Sequence, residues 1–170
     1  MFELTGYTVD AKIYQGEKTI VYRGYRTQDN RPVIIKVLQS HYSDAKKVAK
    51  FHHEYEITKN LDLAGIIKPY ELLKHKNTWV LILEDIQGDS LKTLLATKKL
   101  DLVTFLLIAI KLASNLGELQ AHNIIHKDIK PANIIVNLTT GQVKLTDFSI
   151  SSRLSLETPT SSHSNLLEGT

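Results

Sequence analysis

The sequence predicts an α+β fold built from two unlike halves, strand-rich first and helical second. Three observations carry this expectation. Up to about Leu83 the apolar residues fall mostly in short β-type runs, with one helical stretch among them. A polar break, Gln87-Gly88-Asp89, then interrupts the pattern. Beyond it the longest regular feature is a nearly all-round apolar helix from about Leu102 to Ala121. There is no internal repeat. The 170 residues, 42% apolar and 23% charged, are enough to bury one sizeable core.

The strand-rich half begins with Ile20–Tyr25, a run of β-formers followed by the polar turn Thr27–Asn30 and the apolar run Val33–Leu38. Ser43–Leu61 reads as a helix. Ser43 is a suitable N-cap, and Val48, Phe51, Tyr55, Thr58 and Leu61 recur at helical spacing. Ile66–Leu73 and Thr78–Leu83 read as two more strands, joined by the charged turn Lys74-His75-Lys76-Asn77. After the break a short helix starts at Ser90. The long helix is apolar on every side and is expected to run through the centre of the core. Two short strands, Ile134–Asn137 and Gln142–Thr146, flank Leu138-Thr139-Thr140-Gly141. From Ser149 to Thr170, ten of twenty-two residues are Ser or Thr, which reads as a mobile loop. Within it, Ser155–Ser164 reads either as a segment whose hydroxyls are modified or as plain loop.

Composition narrows the function. Lys plus Arg total 21 against 18 Asp plus Glu, and a net charge of +3 gives no reason to expect nucleic acid or an anionic membrane as partner. The absence of Cys excludes disulfides, thiol catalysis and Cys-ligated metal. Met1–Asp10 lacks the basic and apolar regions of a signal peptide. Leu102–Ile110 contains Thr104 and is closed by Lys111, which makes it too short to span a bilayer. A soluble, cytoplasmic protein without a membrane segment is expected.

Three features need a chemical explanation. In Val33-Ile34-Ile35-Lys36-Val37-Leu38 both strand faces are apolar, so Lys36 needs an anionic partner or an exit to water along its stem. Glu54 shares a helix face with Phe51, Thr58 and Leu61 and also needs a partner, unless it lies solvated at the edge of that stripe. Each answers the other if the helix packs on the strand. The third feature is His126-Lys127-Asp128-Ile129-Lys130-Pro131-Ala132-Asn133, followed by Asp147-Phe148-Ser149. Pro131 makes the first segment a loop. Pairing of the following strands brings Asn133 and Asp147 together. An amide oxygen and a carboxylate suit Mg²⁺, which takes one or two protein oxygens plus phosphate. Asp128 can accept a proton from an attacking hydroxyl, and Lys130 can neutralise a phosphoryl group in transfer. A solvated charged turn is the alternative, and the joint spacing is much more restrictive than any one residue.

With these residues in their order, the sequence resembles the protein kinase superfamily, serine/threonine type. Ile13–Tyr22, with Gly16, resembles the Gly-rich loop. Val33-Ile34-Ile35-Lys36 resembles the strand that carries the phosphate-binding lysine, and Glu54 the helix residue that orients it. Leu83-Glu84-Asp85-Ile86 resembles gatekeeper and hinge. His126–Asn133 resembles the catalytic loop, Asp147-Phe148-Ser149 the metal-binding triplet, and Gly169-Thr170 the pair before the substrate-binding loop. The resemblance implies a bilobal fold, with a five-stranded antiparallel N-lobe and helix at about 1–86, a hinge at 87–90, and the first, incomplete part of a helical C-lobe at 91–170. It implies ATP and Mg²⁺, with Lys36 on the α/β-phosphates, Asp128 and Lys130 at the transfer step, and Asn133 and Asp147 on the metal. It places Gly16 over the phosphates, Val21, Ile34, Leu83 and Ile135 around the adenine, and the Glu84 and Ile86 backbones on its edge. The implied partner is a protein substrate carrying Ser or Thr. Tyr7-Thr8-Val9 and Leu166–Thr170 resemble kinase domains that open large bacterial hybrid sensors, which implies further domains and a role in signal transduction.

The sequence also departs from that family pattern. Tyr14 and Thr19 replace the first and third glycines of the loop, limiting backbone approach to phosphate. Lys127 stands where the catalytic loop has Arg, and it lacks the planar fork that grips a phosphate bidentately. Ser149 replaces the triplet's glycine. The family pattern continues beyond Thr170 into further helices, so the helix face Phe105, Leu106, Ile108, Ala109 and Leu112 is expected to lose part of its cover. The alternative reading is a non-catalytic kinase-like module that binds ATP or regulates a partner. A small-molecule kinase is disfavoured by Lys130-Pro131.

Overall fold

The structure, a computed structural model, describes residues 2–39 and 45–154. The expected N-cap Ser43, the Ser155–Ser164 segment and Gly169-Thr170 lie outside the described residues. Strands β1 (Tyr7–Gln15), β2 (Thr19–Arg26), β3 (Arg31–Leu38), β4 (Pro69–His75) and β5 (Thr78–Glu84) form a five-stranded antiparallel sheet in the order β1-β2-β3-β5-β4. Alternation along β3 explains its unbroken apolar run. Val33, Ile35 and Val37 are buried on one face with Leu4, Val80 and Ile82. Ile34 packs on the other side with Leu38, Leu81, Leu83 and Phe51 of helix α1 (Ala45–Thr58). A strand covered on both faces reads as continuous hydrophobe, and burying each large apolar side chain contributes about 1.5–3 kcal/mol.

The expected strand at Ile66–Leu73 starts later than predicted, at Pro69. Ile66 and Ile67 are buried, but Ile66 bridges in parallel to Leu145 and the Ile67 N–H donates to the Leu145 carbonyl at 2.9 Å. The Leu145 N–H in turn donates to Gly65 O at 2.8 Å. Residues 65–67 therefore stitch the first sheet to the second half of the chain. An apolar run alone cannot distinguish that seam from a strand.

In the second half, β6 (Asp89–Ser90), β8 (Ile134–Asn137) and β9 (Gln142–Leu145) form a small antiparallel sheet. Helix α2 (Leu91–Thr97) is capped by Ser90, whose Oγ accepts from the Thr93 N–H. Helix α3 (Leu102–Ala121) is capped by Asp101, which accepts from Thr104 N–H at 2.8 Å. The short strand β7 (Ile124–Ile125) pairs with β10 (Ser152–Arg153). The start of the Ser/Thr-rich stretch expected as a mobile loop is thus held in a strand pair. Ile108, Leu119, Ile124, Ile134, Val136, Val143, Leu145 and Phe148 form the core of this half.

Helix α3 has the predicted bounds but not the predicted burial. Ile108, Asn115 and Leu119 are its buried residues, while Leu102, Val103, Phe105, Leu106, Leu107 and Ile110 are exposed. Of the face expected to lose cover, Ile108 and Leu112 pack into the core and Phe105 and Leu106 do not. With 20 residues and a mean hydropathy of 1.6 over an 18-residue window, α3 is long and apolar enough to cross a membrane by length and composition alone. The run Leu102–Ile110 is only the most apolar part of this helix, so its nine residues do not set the helix's length. The inner face of α3 is docked on protein, with Asn115 Nδ2 donating to the Val143 carbonyl at 2.9 Å.

Candidate active site

The site lies between the two sheets, and β3, α1 and the β8–β9 hairpin position it. Lys36 on β3 points from the face that meets α1. Its Nζ is 2.6 Å from Glu54 Oε2 and 3.2 Å from Asp147 Oδ1, and it sits 5.6 Å above the Phe51 ring. Glu54 is buried on the stripe with Phe51, Ile57 and Thr58. Burial pulls the Lys36 ammonium down, but the charges of Asp147 and Glu54 outweigh it and hold its pKa above the ordinary lysine range. The Lys36 charge holds the Asp147 carboxyl below the ordinary aspartate range, against the effect of its own burial.

Pairing of Ile134 with Leu145 sets the other half of the site. It places Asn133 and Asp147 at neighbouring strand ends, and the Thr146 N–H donates to the Asn133 carbonyl at 3.0 Å. Pro131–Asn133 forms a single 3₁₀ turn that carries Asn133 inward, where it is buried. Asn133 Nδ2 donates to both the carbonyl and Oδ2 of Asp128, each at 2.9 Å. Lys130 Nζ lies 2.7 Å from the same Oδ2. Asp147 and Lys127 both adopt left-handed backbone, with φ of 64° and 66°. Such residues are strained by about 1 kcal/mol or more and need surrounding structure to hold them.

His126 supplies part of that structure, in a role the sequence does not spell out. Its Nε2 donates to the Thr146 carbonyl at 3.0 Å, while Nδ1 accepts the Asp128 N–H at 3.2 Å. These partners require the neutral ring, protonated at Nε2. Burial lowers the His126 pKa in the same direction. The ring packs 4.4 Å from that of Phe148, so the loop at 126–133 and Asp147-Phe148-Ser149 meet through two aromatic side chains.

Of the positions that the resemblance assigns to adenine, Ile34, Leu83, Ile86 and Ile135 share an apolar cluster that does not include Val21. Ile34 pairs in register with Leu83. Val21 pairs with Lys36 on one side and Tyr14 on the other. The Glu84 N–H donates to Lys68 O at 2.8 Å, and the Ile86 carbonyl accepts from Asn137 Nδ2 at 2.8 Å. Gly16 closes the β1–β2 turn. Its N–H donates to Thr19 O at 3.0 Å, its carbonyl accepts from Gln39 Nε2 at 2.6 Å, and the Tyr14 ring lies against it.

Two ion pairs at the hinge go beyond the sequence reading. Arg23 Nε is 2.7 Å from Asp85 Oδ2, and Arg23 Nη2 donates to Gly88 O at 2.9 Å. Lys144 Nζ contacts both carboxylate oxygens of Glu84, at 2.9 and 2.8 Å. Lys144 alternates with Val143 and Leu145 and shares its strand face with Gln142 and Thr146, so its pattern reads as a solvent-facing lysine and does not pick it out as it does Lys36.

The fold brings together a buried lysine between two carboxylates, an acidic and a basic group on one loop, and an amide and a carboxylate at neighbouring strand ends. The protein kinase domain family matches residues 7–166, and the chain belongs to that family. It is 32% identical over 148 residues to serine/threonine-protein kinase PknL of Mycobacterium tuberculosis, covering 85% of this chain and 36% of that protein. It is 30% identical over 158 residues to serine/threonine-protein kinase PrkC of Bacillus subtilis, covering 92% and 23%. Similarity to serine/threonine-protein kinase KIC1 of Saccharomyces cerevisiae is 33% over 144 residues, covering 84% and 13%. The chain spans about a third or less of the length of these relatives.

Proposed function

We propose that the chain forms the nucleotide-binding and catalytic part of a serine/threonine protein kinase, transferring the γ-phosphoryl group of ATP to a protein hydroxyl. In this reading residues 1–86 are the N-lobe, 87–90 the hinge and 91–170 the first part of the C-lobe of a longer cytoplasmic signalling protein. The observation that carries the reading is that Lys36–Asp147 and Asn133–Asp128–Lys130 form two contact sets, joined at neighbouring strand ends where the Thr146 N–H donates to the Asn133 carbonyl.

The residues fit Mg²⁺. Asn133 spends its amide nitrogen on Asp128, which leaves its oxygen as a ligand beside the Asp147 carboxylate. Mg²⁺ takes only one or two protein oxygens beside phosphate, so this pair would suffice. When bound, Mg²⁺ would neutralise charge on the β- and γ-phosphates. Lys36, oriented by Glu54, would hold the α/β-phosphates. Ile34, Val21 and Ile135 would enclose the base, and the Ile86 N–H would meet its edge because the Ile86 carbonyl is already engaged. Asp128 would accept the proton of the attacking hydroxyl as the new O–P bond forms and the β–γ bridge breaks to release ADP. Lys130 would balance charge on the transferred group.

One observation favours a second, non-catalytic reading: the Gly16 N–H and carbonyl are both spent within the protein, and Tyr14 covers that glycine. Calorimetry with MgATP separates the two. The kinase reading expects magnesium-dependent binding that disappears in Asp147→Ala. It further expects Asp128→Asn to bind MgATP nearly as wild type while phosphoryl transfer falls about 10²–10⁴-fold. A folded wild-type chain that binds no MgATP would rule the kinase reading out, and binding without any transfer by the full-length protein would select the regulatory one.

A further inference from the structure

Helix α1 reaches the candidate site through two consecutive residues. Glu54 holds Lys36, which holds Asp147. His53, the residue before it, reaches past the triplet, with its Nε2 2.8 Å from the Ser151 carbonyl. That acceptor has no proton to give, so the imidazole is the donor. Ser151 ends a compact turn. Its N–H and Oγ both donate to the Phe148 carbonyl, at 3.1 and 2.6 Å. Beyond it, β10 pairs with β7, and the Leu154 N–H donates to Asn123 O at 2.7 Å. Asp147, in strained left-handed backbone, therefore sits between two attachments to one turn of α1, an ion pair through Lys36 and a hydrogen bond through His53.

We infer that His53 is a positioning residue: its hydrogen bond to Ser151 fixes the turn that follows Asp147 and so keeps Asp147 aligned with Lys36 and Asn133. The inference rests on the kinase reading only for the consequence it predicts on nucleotide. His53 is exposed on the helix, so its removal leaves the core untouched. Its neighbours on α1 point elsewhere, with the His52 ring meeting Trp79 at 4.3 Å and Glu54 meeting Lys36. The bond to Ser151 is thus a separate link between α1 and the segment after the triplet. A net hydrogen bond of this kind corresponds to about a fivefold change in a local equilibrium.

The test compares wild type, His53→Ala and His53→Gln. Amide hydrogen exchange across residues 148–154, measured without nucleotide, should rise about fivefold in His53→Ala and return toward wild type in His53→Gln, whose side-chain amide can still donate. Amides of β2 and β3 should not change. In parallel, calorimetry should show the magnesium-dependent part of ATP binding weakened about fivefold in His53→Ala and recovered in His53→Gln. Unchanged exchange at 148–154 in His53→Ala, or a Gln variant no better than Ala, would overturn the inference. Absence of MgATP binding in wild type would count against the kinase reading alone, since the exchange arm decides the role of His53 by itself.

Discussion

Lys36 and Glu54 form an ion pair of 2.6 Å between strand β3 and helix α1, with side chains only 13% and 3% exposed. Taking both charges out of water is expensive, and their attraction repays it only while both are present. Lys36→Met leaves Glu54 buried without its first partner, and is expected to lower unfolding stability by about 3–5 kcal/mol. Lys36→Met with Glu54→Leu removes both charges of the buried pair, leaves only the more exposed Asp147 without its lysine, and should recover part of that loss. Urea denaturation of the two single variants and the double variant measures the coupling. A double variant as unstable as the sum of the singles would mean the pair is not coupled. If the kinase reading holds, neither Lys36 variant binds MgATP, so stability and nucleotide binding part company in the double variant.

His126 predicts the pH response of the fold. Its folded-state pKa is depressed by burial, so between that value and about 6.5 the unfolded chain takes up a proton that the native ring refuses. The contribution is whole above about pH 6.5 and is lost as pH falls toward the depressed value. Urea midpoints should therefore fall between pH 7 and pH 5, and His126→Phe should flatten that dependence. The chain has seven His, so the difference between the two profiles is the informative quantity. Profiles of equal slope would show that His126 does not carry the effect.

What could be read in the sequence, and what could not, follows from the range of each interaction. Periodicity is local, so the bounds of α3 and the start of α2 near Ser90 were legible. Lys36 and Glu54 were legible because a charge on an apolar face demands a partner. Burial of α3 was not, since periodicity gives an element's faces but not what covers them. The seam at Ile66 and Ile67 was hidden for the same reason, because a buried apolar pair looks alike in a strand and in a bridge to β9. The hinge clamp by Arg23 was out of reach, because Arg23 and Asp85 are 62 residues apart and nothing local pairs them.

The hinge clamp should govern how the linker presents its backbone. Asp85 is buried and receives Arg23 from β2 and the Gln87 N–H at 2.6 Å, while Gln87 itself is held at φ 56°. On the opposite side Asn137 Nδ2 donates to the Ile86 carbonyl. Arg23→Ala is expected to reduce stability by about 1.5–3 kcal/mol, the range for hydrogen bonds to a charged group. Because the same linker carries the Ile86 N–H, it should also weaken ATP binding more than it weakens binding of inorganic triphosphate, which has no base. Equal losses for both ligands would show that the clamp does not act through the hinge.

Helix α3 carries two kinds of residue with opposite expected consequences. Ile110 is exposed and rests on no core neighbour, whereas Asn115 is buried and satisfies the Val143 carbonyl. Gly65 packs so closely on Asn115 that a side chain at 65 would collide with it. Asn115→Ala strips the donor from a buried carbonyl and opens space beneath Gly65, and is expected to lower stability by about 1–3 kcal/mol. Ile110→Gln and Leu106→Gln change solvent-facing positions and should shift stability by no more than about 0.5 kcal/mol. They should also reduce binding of an apolar dye, because Leu102, Phe105, Leu106 and Ile110 together present apolar surface to water. Chemical denaturation and dye titration on the same samples read both effects. A large stability loss from Ile110→Gln would mean that the outer face of α3 is packed in solution, and a neutral Asn115→Ala would mean that the buried amide is dispensable.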